Sequence, residues 1–134
     1  IVIVATPTNY NIDTGSFDTS NVEGVINDCL NINKEAIIVI KSTIPIGFTD
    51  LMRSKFETKN IFFSPEFLRE SKALYDNLYP SRIVVGDLSD IGKEFANILI
   101  ECSEKTSSKI PLLFMESKEA EAVKLFSNTF YFCQ

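Results

Sequence analysis

The sequence predicts an α/β domain built on a mostly parallel sheet. Short runs rich in β-branched and aromatic residues at 1–5, 36–40, 60–63 and 82–86 show no polar alternation, the mark of strands buried on both faces. Helix-patterned segments separate these runs, so strand and helix alternate along the chain. Polar loops leave the C-terminal ends of the first three strands, the edge at which open α/β sheets bind ligands.

The elements follow in order. The run at 1–5 is the first strand, and a polar stretch over 6–19 is read as a long strand-to-helix loop. Ser20 with Glu23 three residues on resembles a capping box opening a helix through about residue 31. A second strand at 36–40 turns through 41–47 into a helix ending near Phe56. The third strand, 60–63, runs through Ser64 and Pro65 into a short helix from Glu66, since proline is tolerated in a first helical turn. A fourth strand at 82–86, a helix over 89–101, a short edge strand at 110–114 and a last helix from about Ser117 complete the chain. The chain starts inside an apolar run and ends inside a helical pattern, so it is expected to be part of something longer.

Composition narrows the function classes. The chain has 134 residues, 45% hydrophobic and 23% charged, the balance of an ordinary globular domain. A net charge of −5 with no basic stripe argues against nucleic acid as a partner. No apolar run is long enough to span a bilayer, and no signal peptide is visible, so no membrane partner is expected. Cys29, Cys102 and Cys133 are scattered and there is no histidine. A zinc site is therefore not expected, a histidine-based triad is excluded, and reduced thiols point to the cytoplasm.

Two i,i+4 pairs carry candidate chemistry. Glu66 and Glu70 would share one face of the short helix, as a general base or hydroxyl-binding pair or, equally, as a solvated acidic face. Lys124 and Asn128 would share one face of the last helix, where a cation and an amide can stabilise a developing oxyanion; a plain surface pair has the same spacing. Val123, Phe126 and Phe130 are assigned to the core face of that helix. Thr6, Thr8, Ser42 and Thr43 follow strands directly, where hydroxyls and free N–H groups can hold ribose or phosphate, though such residues are also ordinary turn formers. No G-x-G-x-x-G or P-loop occurs anywhere in the chain.

The wording of five successive segments goes further: VATPTN at 4–9, KSTIPIG at 41–47, FSPEFLRE at 63–70, ALYDNLYPSRIVVG at 73–86 and EAEAVKLFSNT at 119–129. In that order they resemble the UDP-glucose/GDP-mannose dehydrogenase family, and the stretch 74–82 favours its UDP-glucose 6-dehydrogenase type over the GDP-mannose type. The resemblance implies the second half of a Rossmann-like NAD-binding domain over residues 1–115 and the start of a long central dimerisation helix over 116–134. It implies NAD as cofactor, UDP-glucose as substrate, a homodimer, and oxidation of the sugar's C6 alcohol to UDP-glucuronate by two NAD⁺ in succession.

By the same resemblance Glu66 is the base or water-positioning carboxylate, Thr43 borders the cofactor and orders water, and Lys124 and Asn128 contact substrate and stabilise charge. Phe67 and Leu68 border the sugar nucleotide, while Thr8 and Glu70 face the cofactor. The family's glycine turn would precede Ile1 and its catalytic cysteine would lie downstream, Cys133 matching an apolar position instead. The chain alone is accordingly expected to be inactive. GDP-mannose or UDP-N-acetylhexosamine as the substrate, or a non-catalytic α/β remnant, are the competing readings.

Overall fold

The computed structural model describes the backbone of residues 1–13, 15–104 and 110–132, and the side chains of these except residues 70 and 129–132. Strands β1 (Val2–Val4), β4 (Ile38–Ile40) and β5 (Ile61–Phe63) form a parallel sheet in the order β1-β4-β5. Their register is in step, with Val4 beside Ile40 and Ile40 beside Phe63. Strands β6 (Ile83–Val85) and β7 (Leu112–Phe114) form a second parallel pair. That pair is tied to the end of β5, because Gly86 N–H donates to the Phe63 carbonyl at 2.7 Å and the Ser64 hydroxyl to the Val84 carbonyl at 2.8 Å.

Alternate residues of the strands face two separate cores. Ile38, Ile40, Ile61, Phe63 and Val84 meet Val22, Ile26 and Leu30 of α1 (Ser20–Ile32), Phe48 and Met52 of α2 (Phe48–Lys55), and Ala120 of α5 (Ser117–Phe132). Val39, Phe62, Ile83 and Val85 meet Phe95 and Ala96 of α4 (Asp90–Glu101) on the opposite face. Burying each such large side chain contributes about 1.5–3 kcal/mol, which is why the unalternating runs are strands covered on both sides. Strand β1 departs from that expectation: Val4 is buried, but Ile3, in register with Val39, is 53% exposed.

Three local expectations are corrected. The segment 6–19 is not a plain loop, since β2 (Asn9–Asn11) and β3 (Ser16–Asp18) form an antiparallel hairpin with Tyr10 paired to Phe17. Helix α1 starts at Ser20 as expected, but without the Ser20–Glu23 capping box. Asp18 receives the Ser20 N–H at 3.0 Å and its hydroxyl at 2.6 Å, and Glu23 receives the Thr19 hydroxyl. The third correction concerns Glu66. Residues 64–69 are outside any helix, a 3₁₀ turn spans Glu70–Lys72, and α3 covers Ala73–Leu78. Asp76 takes both the Arg69 N–H and the Arg69 guanidinium, so the helical turn is closed from behind and begins at Glu70 instead. Glu66 and Glu70 therefore do not share a helix face.

Candidate active site

The site lies at the C-terminal edge of β1, β4 and β5, where three loops meet α5. The loop after β1 and the loop after β4 are fastened together: the Thr8 hydroxyl donates to the Thr43 carbonyl at 2.8 Å, and the Ser42 hydroxyl to the Thr6 carbonyl at 2.6 Å. Lys41 leaves the end of β4, and its N–H donates to the Val4 carbonyl. Its side chain, only 11% exposed, reaches the Glu66 carboxylate at 3.4 Å. From α5 the Lys124 ammonium donates to the Glu66 backbone carbonyl at 2.5 Å. Glu66 is thus held by one lysine at its side chain and by a second at its backbone.

The extended conformation of 64–69 sets out Phe67 and Leu68 between cations. The Arg82 guanidinium sits 4.0 Å from the Phe67 ring centre and the Lys124 ammonium 5.5 Å from it. A polar cleft is lined by Thr6, Thr8, Lys41, Thr43, Glu66 and Lys124, with Leu68 as an apolar member of the lining. A more apolar cleft adjoins it across Lys124, lined by Phe67, Leu68, Tyr75, Tyr79, Arg82 and Asn128.

Lys41, Lys124 and Arg82 gather about a single carboxylate, Glu66, while Arg69 and Asp76 in the adjoining cleft neutralise each other. The local field therefore favours negative charge on a ligand. Burial pushes Lys41 below the usual lysine range, with Glu66 opposing the shift. Burial likewise lowers Lys124; Glu66 opposes, while Arg82 and Lys41 push the same way as burial. Both lysines are poised to gain from an incoming anion.

Of the residues singled out in sequence, the structure brings Thr8, Thr43, Glu66, Leu68 and Lys124 to one cleft, and Phe67 and Asn128 to its neighbour. The Glu70 and Phe130 side chains and all of Cys133 lie outside what the structure describes. Phe126 is not a core residue: it is 72% exposed, and α5 buries Ser117, Ala120 and Glu121 instead. Sequence reasoning missed Lys41, Arg82 and Glu121 as individual residues. The signal for Lys41 was its place next to a strand end; for Arg82, a cation immediately before one. Glu121 offered none beyond an acid between two alanines.

The model of the UDP-glucose/GDP-mannose dehydrogenase family, NAD binding domain, matches residues 1–101. The chain belongs to this family. A UDP-glucose 6-dehydrogenase of Streptococcus pneumoniae is 55% identical over 134 residues, covering 96% of the chain and 34% of that protein. One from Campylobacter jejuni is 49% identical over 128 residues, covering 96% of the chain and 32% of that protein. The chain thus spans about a third of the length of these relatives. Among solved structures, a UDP-glucose dehydrogenase from Pyrobaculum islandicum superposes with a TM-score of 0.78 at 31% identity, over 96% of this chain and 31% of that one. A GDP-mannose dehydrogenase from Pseudomonas aeruginosa shares the fold, with a TM-score of 0.77 at 20% identity over 98% of this chain and 32% of that one. The α/β fold with a mostly parallel sheet and the family's NAD cofactor agree with the sequence reading. Among the described residues no helix is long and apolar enough to cross a membrane.

Proposed function

We propose that residues 1–115 are the distal part of the NAD-binding domain, and residues 116–134 the start of the dimerisation helix, of a UDP-glucose 6-dehydrogenase. The proposed protein is cytoplasmic and homodimeric, and it oxidises UDP-glucose to UDP-glucuronate with two NAD⁺. The observation that carries this reading is the convergence of Thr8, Thr43, Glu66 and Lys124 on one cleft in a chain of this family. Both curated relatives named above are UDP-glucose 6-dehydrogenases, which favours that sugar over GDP-mannose.

NAD⁺, when bound, accepts the hydride removed from the sugar carbon. The lining of the polar cleft fits the nicotinamide end of such a cofactor: Thr43 offers a hydroxyl and Leu68 an apolar contact. Thr8 offers a hydroxyl oxygen that can accept while its proton goes to the Thr43 carbonyl. Glu70 belongs to this cofactor-facing group by motif. The pyrophosphate has no glycine turn to rest on within these 134 residues, so its binding is not assigned to them.

Lys124 and Asn128 hold the substrate and stabilise negative charge at the reacting carbon, a task that suits a fixed cation and an amide donor. Glu66 accepts the proton from the hydroxyl, or from the water that completes the oxidation, and Lys41 balances its charge. Thr43 orders that water, and Phe67 and Leu68 border the sugar nucleotide. The test is to measure NADH released per sugar consumed by the protein that carries this chain. Two NADH per UDP-glucose, with GDP-mannose left unconsumed, is the expected result; one NADH per sugar, or preference for GDP-mannose, contradicts it.

A further inference from the structure

The Glu121 side chain is fully buried on α5, yet it carries a carboxylate. One oxygen receives the Gly47 N–H at 2.5 Å; the other receives the Thr49 N–H at 2.9 Å and the Thr49 hydroxyl at 2.6 Å. These donors form the start of α2, which has no side-chain cap of its own, and Gly47 enters it with φ +90°, a left-handed conformation suited to glycine. A carboxylate against a helix N-terminus is stabilised by the free N–H groups and the helix dipole. A local Ser, Thr or Asp would supply a cap of about 1 kcal/mol without burying a charge. Bringing the cap from 72 residues away has a different consequence: it locks α5 to the segment that begins with Thr43.

The neighbouring contacts sharpen that consequence. One turn earlier the Ser117 hydroxyl donates to the Gly86 carbonyl at 2.7 Å, and Ala120 packs where a Cβ on Gly86 would lie. Lys124 comes three residues after Glu121, and beyond Glu121 the described side chains of α5 are half-buried, with Phe126 exposed. Among the described side chains Glu121 is the last fully buried anchor of α5 before the site. Through Gly47 and Thr49 it ties the segment that follows Thr43 to the helix that carries Lys124, and Thr43 and Lys124 both line the cleft.

We propose that Glu121 is a positioning residue that fixes the reach of Lys124 toward Glu66 by clamping α5 to the start of α2. Its effect on turnover rests on the proposed role of Lys124, whereas its effect on Lys124 placement does not. The test therefore reads placement first. In the ligand-free protein that carries this chain, lysines are trace-acetylated and the labelling mapped by mass spectrometry, with Lys93 on α4 as reference. Glu121→Gln keeps the shape but sets an NH₂ against N–H donors, so Lys124 labelling should rise severalfold relative to Lys93. Thr49→Val, which removes only the hydroxyl donor, should raise it less, and it carries the same comparison if Glu121→Gln does not fold. Unchanged Lys124 labelling in a folded variant, or a rise shared equally by Lys93, overturns the proposal. A selective rise with UDP-glucose turnover unchanged leaves the clamp standing and sinks the proposed role of Lys124.

Discussion

The Lys124 ammonium donates to the backbone carbonyl of Glu66 at 2.5 Å, joining residues 58 positions apart. The contact sets a cation from α5 against the backbone of the residue whose carboxylate Lys41 holds. It also leaves Lys124 without a carboxylate partner within ion-pair distance among the described side chains. Such a lysine can answer charge that develops on a ligand, and this shapes the predictions that follow.

Glu66→Gln removes the proton acceptor but keeps the backbone carbonyl that Lys124 uses. By the family resemblance the downstream catalytic cysteine holds the oxidised sugar as a thioester that water then hydrolyses. That hydrolysis should fail first, and the thioester should accumulate on the protein that carries this chain. Intact-mass spectrometry after mixing with UDP-glucose and NAD⁺ should show the adduct. Normal turnover without any adduct would count against the role given to Glu66.

Gly86→Ala should loosen α5. A Cβ there would lie 2.8 Å from the Phe63 carbonyl oxygen and 3.1 Å from both the Ala120 Cβ and the Ser117 Cα. Backbone cannot yield as a flexible side chain does, so overpacking should cost about 1–3 kcal/mol. Denaturant unfolding should show a lower midpoint. An unchanged midpoint would mean that α5 is not pinned at this point.

Asp76 gives the fold an acid-sensitive contact. Its hydrogen bonds from the Arg69 side chain and N–H lower its pKa from 3.8 to about 2. The folded value lies below the unfolded one, so the stabilisation is complete above the unfolded value and disappears as pH falls through about 2. Asp76→Asn should therefore lower stability at neutral pH and make little difference near the lower value. Equal destabilisation at both would refute the pairing as the source.

Much of the scaffold was legible because its strands are written in one language. Ile38, Val39 and Ile40 are buried toward two different helical layers, and only apolar residues satisfy both. The β2–β3 hairpin was not legible, since one aromatic pair, Tyr10 with Phe17, carries it amid polar residues. The extended path of Glu66 was hidden for a different reason. It depends on Asp76 capturing Arg69 and on Lys41 arriving from another strand, and no local propensity encodes either. The apolar stripe on α5 misled about Phe126, because this helix is anchored at Ser117, Ala120 and Glu121 and exposes Phe126 beyond them. The candidate site residues were found by motif wording, while the charges that hold them had to come from the three-dimensional arrangement.

The most direct measurement of the central claim is steady-state turnover of UDP-glucose by Lys124→Ala in the protein that carries this chain. Removing a donor that stabilises transition-state charge costs about 10²–10³ in rate. Turnover should fall by that factor, with a much smaller change in KM for UDP-glucose. Burial lowers the pKa of Lys124, so in the wild type the alkaline loss of activity from its deprotonation should come below the ordinary lysine value of 10.5. The variant should lack that limb. Turnover close to wild type, with the alkaline limb intact, would contradict the assignment of this cleft as the place where the chemistry occurs.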